Sequence, residues 1–150
     1  MSVHLEFFTS TPASPIVAEL RKGGLASVKL GPVTETNRGF VAEWDHGNCF
    51  VEELDAESRD AVSKEYGLES PQSCLWLHCK PRDPGTSEAV AMSVSLMESM
   101  EGDVALAHGS GSLMFQRVKG RLTLYQNEIE YKWMPLFTAP YEVKPRFDEP

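Results

Sequence analysis

The stretch of residues 73–125 constrains the fold of this chain more than any other part of it. It opens with the apolar run Cys74-Leu-Trp-Leu-His-Cys79, followed by a turn rich in Pro and Gly. Residues 86–100 then place Ala89, Met92, Leu96 and Met100, flanked by Val90, Val94 and Met97, at the spacing of a helix with one buried face. Thr86 or Ser87 serves as its cap and Gly102 ends it. After Glu101-Gly-Asp103 come a second apolar run, Val104–His108, a Gly/Ser turn at 109–112, and two alternating runs, Leu113–Val118 and Arg121–Tyr125. The order is strand, helix, strand, turn, strand, turn, strand, and the core is expected here.

Upstream, Val3–Thr9 alternates as a strand, with Val3, Leu5 and Phe7 on one side and His4 and Glu6 on the other. Ser14-Pro15 opens a helix, serine as N-cap and proline at the first helical position; Ile16, Val17 and Leu20 form its apolar face and Gly23-Gly24 stops it. Residues 25–30 alternate again, Gly31-Pro32 turns the chain, and residues 38–45 make a further strand. The β-α-β-β order of residues 3–45 thus recurs at 74–118, a possible pseudo-repeat of elements without sequence identity. Residues 52–69 carry seven carboxylates (Glu52, Glu53, Asp55, Glu57, Asp60, Glu65, Glu69) against Arg59 and Lys64. Asp55 as N-cap, a thin stripe of Ala61, Val62 and Tyr66, and Gly67 as stop predict a short surface helix there. From about residue 126 a tail with four prolines and the aromatics Tyr131, Trp133, Phe137, Tyr141 and Phe147 is expected to run extended over the domain, with one more short strand. The expected architecture is a single α+β domain over residues 1–150. It has two layers: a mainly antiparallel sheet with two helices packed on one face and the tail over part of the other.

Composition narrows the function classes. A chain of 150 residues with 41% hydrophobic and 24% charged side chains can bury a core and is not a disordered one. Fourteen basic against 22 acidic residues give a net charge of −8, which argues against nucleic acid and suits a basic protein partner, although acidity also simply aids solubility. No apolar run approaches the roughly 20 residues of a membrane-spanning helix. Met1-Ser-Val-His-Leu-Glu has neither basic n-region nor apolar stretch, so the cytoplasm is the expected location. Three cysteines in apolar surroundings suggest buried free thiols.

The residue types that carry chemistry form no recognisable catalytic motif. On one strand Cys74 and His78 face one way and Cys79 the other, so they cannot converge on one ion, and His46-Gly-Asn-Cys49 matches no zinc loop. No metal or cofactor is expected. The four histidines are scattered, no Gly-x-Ser-x-Gly elbow is present, and the Gly/Ser turn at 109–112 lacks the Gly-Lys-Ser/Thr ending of a phosphate loop. The pairs Glu52-Glu53 and Glu101/Asp103 could serve acid–base work, but carboxylates beside helix ends are the commoner structural pattern.

Residues 66–125 also carry a resemblance. Tyr66-Gly-Leu precedes the strand and helix; Glu101-Gly-Asp-Val-Ala-Leu-Ala107 follows, then Leu113-Met-Phe-Gln-Arg117 and Gly120-Arg-Leu-Thr-Leu124. This string resembles the third-type immunity proteins of the myxobacterial swarming-inhibition toxin system, the Sit-type family. It departs from that family at the hairpin turn, where Gly109-Ser-Gly-Ser112 stands for the usual Asn-Gly-Glu. The resemblance implies a non-catalytic antidote that binds and neutralises a cognate, basic toxin in the producing cell. Glu52, Glu53, Asp55, Glu57 and Asp60 are then the expected contact surface, with Phe50 and Tyr66 (and Trp44 beside them, unless it is core) as aromatic anchors. Two other readings stay open: a small enzyme using His46 or His108 with a carboxylate between sheet and tail, and a subunit whose tail aromatics form an obligate interface.

Overall fold

The computed structural model describes residues 2–147. Its main sheet has nine strands in the order β11-β10-β9-β8-β1-β7-β6-β5-β4. These are β1 (Val3–Thr9), β4 (Thr34–Glu35), β5 (Phe40–Trp44), β6 (Gly47–Glu53), β7 (Ser73–Cys79), β8 (Val104–His108), β9 (Leu113–Val118), β10 (Arg121–Tyr125) and β11 (Tyr141–Lys144). Every pairing is antiparallel except β10 with β11, which makes the sheet mixed. The helices are α1 (Ala13–Leu20), α2 (Ala56–Tyr66), α3 (Gly85–Ser99) and a 3₁₀ helix (Tyr131–Leu136). None of the described helices is long and apolar enough to cross a membrane.

The expectation of two helices on one face is therefore corrected. There are three α-helices and a 3₁₀ helix, and they lie on both faces. The consecutive pair Phe7-Phe8 shows why: successive strand side chains point to opposite faces, yet both rings are buried. Leu5, Phe7, Leu75 and Leu77 pack with α1, α3 and the 3₁₀ helix in the larger core. Phe8, Cys74, Ala105, Ala107 and Leu113 pack on the other side with Val62 and Tyr66 of α2. That helix connects β6 and β7, which are sheet neighbours, and only its Val62 and Tyr66 are buried.

The recurring element order does not become a spatial repeat. After α3 the chain enters beside β1 and meanders outward through β8, β9 and β10; after α1 it goes to the far edge and meanders inward through β4, β5 and β6. Residues 25–30 are not a sheet strand either. They fold with Gly24 into a separate ribbon, β2 (Gly24–Leu25) against β3 (Val28–Lys29), turned by Ala26 and Ser27 at φ 51° and 66°. Positive φ at both central residues is the geometry of a two-residue hairpin turn, which alternation alone does not reveal. The tail supplies β11 as its strand; its 3₁₀ helix buries Trp133 in the larger core, while Phe147 packs against Tyr66 and Tyr125 on the opposite face.

Caps follow local chemistry. Asp55 caps α2 by accepting from Ser58 N at 2.7 Å, and Gly67 closes it at φ 72°. Helix α1 begins at Ala13, ahead of Ser14, because Glu53 of β6 accepts from Ala13 N at 2.7 Å and takes over the cap. One junction ties the second half together. Buried Asp103 accepts from Glu69 N at 2.7 Å and from Lys119 N at 3.0 Å, joining the link after α2 to the β9–β10 turn. Arg117 donates to the carbonyls of Met97, Met100 and Gly102, tying β9 to the end of α3 and the turn after it.

Candidate functional site

The face of the sheet that carries α2 is covered at one end only. Cross-strand register lays the rest out in rows. One row runs Val41, Phe50, Trp76 and Glu6 across β5, β6, β7 and β1 and ends on the buried Ala107 of β8. The next, toward the open end, runs Glu43, Asn48, His78, His4. An open hollow of about 480 Å³ lies here, lined by Thr36, Arg38, Asn48, Phe50, Glu52, Trp76 and His78. Phe50 and Trp76 are half-buried at its floor. Glu52 accepts from Trp76 Nε1 at 2.9 Å and so fixes the indole. Gly39 borders the Phe50 ring: a Cβ there would sit 2.1 Å from the Val51 carbonyl oxygen and 3.0 Å from the ring, so the close approach requires glycine.

The electrostatics of the face follow from its partial burial. Glu6, with Glu65 of α2 nearby, has its carboxyl pushed above the ordinary value, first by desolvation and then by that neighbouring charge. The His4 and His78 rings meet with centroids 4.1 Å apart. Desolvation, then the neighbouring His4, lower the His78 pKa from its ordinary 6.5. A depressed folded-state value means that this group's contribution to stability is present above pH 6.5 and lost as pH falls through the lower, native value. We expect an NMR titration of the His78 ring to show a midpoint below 6.5, and His4→Ala to move it upward. A His78 midpoint unaffected by His4→Ala removes the ring contact as a cause.

The residues singled out in the sequence separate into several environments. Phe50 and Glu52 belong to this face. Glu53 points to the other side and caps α1, and Asp55 caps α2; these two carboxylates are structural. Glu57 is exposed in the first turn of α2, and Asp60 pairs with Lys64 at 2.9 Å. Tyr66 cannot meet a partner as an anchor: it is 3% exposed, packs against Phe8, and donates to Gly111 O at 3.0 Å. Trp44 is buried in the larger core. Asp103 is the structural clamp described above, not half of an acid–base pair.

Trp76, Glu6, His4 and His78 complete the face and were not singled out as partners of Phe50. A signal for them exists in the run Cys74-Leu-Trp-Leu-His-Cys79, where Trp76 and His78, both with polar tips, alternate with Leu75 and Leu77. The other two histidines border the hollows on either side of this pair, His46 beside His78 and His108 beside His4, and each has a carboxylate. His46 Nδ1 is 2.7 Å from Glu88 Oε1, and His108 Nε2 is 3.1 Å from Glu128 Oε2, the latter pair joining the sheet to the tail. Among the described residues no hydroxyl or thiol hydrogen-bonds to either ring, and no group of three or more His, Cys, Asp or Glu converges as a metal site. The three thiols are buried, and burial raises all their pKa values, that of Cys49 to about 11.

The geometry is that of an open aromatic and acidic sheet face rather than an enclosed pocket. Compared with protein-family models, characterised proteins and solved structures, the chain matches none. The Sit-type resemblance therefore rests on the quoted residues alone.

Proposed function

We propose that the protein acts by binding another protein, and that the docking surface is the half of the sheet face left open by α2. The observation that carries this reading is the pairing of Phe50 with Trp76 across β6 and β7, half-exposed and held in place by Glu52. Rigid aromatics at the centre of a patch with a charged rim are the usual anchors of an interface. Glu6, Glu43 and Glu52 against Arg38, on a chain of net charge −8, favour a basic partner. The immunity family that the sequence resembles is the narrower form of this reading, with a cognate toxin as that partner in the cytoplasm of the producing cell.

The test is capture from the native source with the tagged wild-type chain beside Phe50→Ala and Trp76→Ala. A basic protein retained at stoichiometric level by the wild type and lost by both variants supports the reading. Equal retention by all three chains overturns this face as the surface.

The His108–Glu128 and His46–Glu88 pairs favour a second reading, a small enzyme. An imidazole held by a carboxylate is the arrangement of a general base, and His108–Glu128 lies where sheet and tail meet. Turnover in a hydrolase and transferase panel that disappears in His46→Asn or His108→Asn would establish it. Turnover unaffected by either substitution, or none at all, counts against it.

A further inference from the structure

We infer that His4 and His78 form a two-histidine site for a borderline divalent transition-metal ion, of the class of Cu²⁺, Ni²⁺ and Zn²⁺. The two residues are direct register partners on neighbouring antiparallel strands, and their rings already touch at a centroid distance of 4.1 Å. Directly opposite residues in such a pair hold their Cβ atoms about 4.5–5.5 Å apart. A metal–imidazole bond is about 2.0–2.1 Å, so two ring nitrogens bound to one ion lie no more than about 4 Å apart, a separation of the same size as that between the two ring centroids.

The backbone is also fixed. Strand β1 is paired on both sides, by β7 and β8, and β7 on both sides, by β1 and β6. The backbone that carries the two ligands therefore needs no ordering on binding. Each side chain reaches solvent, His4 exposed and His78 half-buried, so an ion has a path in.

Imidazole nitrogen selects the ion class. Mg²⁺ and Ca²⁺ take oxygen ligands, whereas Cu²⁺, Ni²⁺ and Zn²⁺ take imidazole, with Cu²⁺ bound most tightly in the usual order. No third His, Cys, Asp or Glu joins the pair among the described residues. The remaining coordination positions fall to water and open outward from the sheet face. Asn48, the other register partner of His78, and the Ser2 hydroxyl, 3.2 Å from His4 Nε2, are the nearest polar neighbours on this row.

The experiment titrates the full chain at pH 7.5 with the chlorides of Cu²⁺, Ni²⁺ and Zn²⁺, reading heat and, for Zn²⁺, the imidazole NMR signals. The expected result is one saturable site with Cu²⁺ tightest and Zn²⁺ shifts confined to His4 and His78. His4→Ala and His78→Ala should each weaken binding at least tenfold, while His46→Ala and His108→Ala leave it unchanged. Both substituted positions reach solvent, and circular dichroism confirms that the variants are folded; His78→Gln repeats the test with a side chain closer in size. Absence of saturation overturns the inference. So does binding lost in His4→Ala but retained in His78→Ala, since the second ligand is then another group. Zinc shifts centred on His46 or His108 overturn it as well.

Discussion

Asp103→Ala is expected to lower the stability of the fold by about 3 kcal/mol, because each hydrogen bond to a charged group contributes roughly 1.5–3 kcal/mol and two are lost together. The carboxylate serves the backbone N–H groups of Glu69 and Lys119, from segments 34 and 16 residues away in the chain. The substitution leaves two partly buried donors to find water. Asp103→Asn retains one acceptor oxygen and is expected to cost about half as much. Urea unfolding checks both: the midpoint should fall with the slope unchanged, since the surface exposed on unfolding is the same. For a chain of this size the loss corresponds to a drop in Tm of about 6–12 °C. An unaltered midpoint in Asp103→Ala would show that the junction carries no net stability.

Trp76→Ala is the second change with a large expected effect, here on partner binding. A central aromatic anchor is worth about 2 kcal/mol or more, equivalent to roughly thirtyfold in Kd. Phe50→Ala should lose a similar factor, and the double variant less than the product of the two, because the rings share one surface. Glu52→Lys acts differently. It is expected to slow association at low ionic strength and to lose that effect as salt screens the face. Surface plasmon resonance against the captured partner separates the two behaviours, ring removal in the off-rate and charge reversal in the on-rate. Charge reversal at Glu53 or Asp55 is not an equivalent test, since these carboxylates cap α1 and α2 and their loss reports on folding.

The residues behind the family resemblance have a clear structural role. Gly102 has φ 93° and its carbonyl receives two bonds from Arg117; Asp103 holds Lys119, and Gly120 at φ 79° completes the turn that Lys119 begins at φ 52°. The motif string thus encodes the junction of α3, β8 and the β9–β10 hairpin. It accounts for how this part of the chain folds and assigns no partner. The open face of β5, β6 and β7 lies mostly outside that string and is where a partner's identity would be written.

Alternation and helical spacing are local, and they sufficed for Val3–Thr9, Val104–His108, Leu113–Val118 and Arg121–Tyr125, for the buried stripe of α3 and for the Asp55 cap. They do not say which of two faces will be covered. Phe7-Phe8 required cover on both sides, and only the placement of α2 between neighbouring strands decided which end of the second face it would occupy. The same limit hid the site. Phe50 and Trp76 are 26 positions apart and become neighbours through register alone, as do His4 and His78. The acidic segment was legible as composition, but tertiary contacts assigned its members to different tasks. Glu53 and Asp55 went to helix ends, Tyr66 to the core and Glu52 to the open face, because backbone donors and apolar surface from distant segments reached them there. What the chain carries locally is its list of elements and their buried stripes; which surfaces meet, and which one is left open, is a long-range balance that exists only once the sheet has assembled.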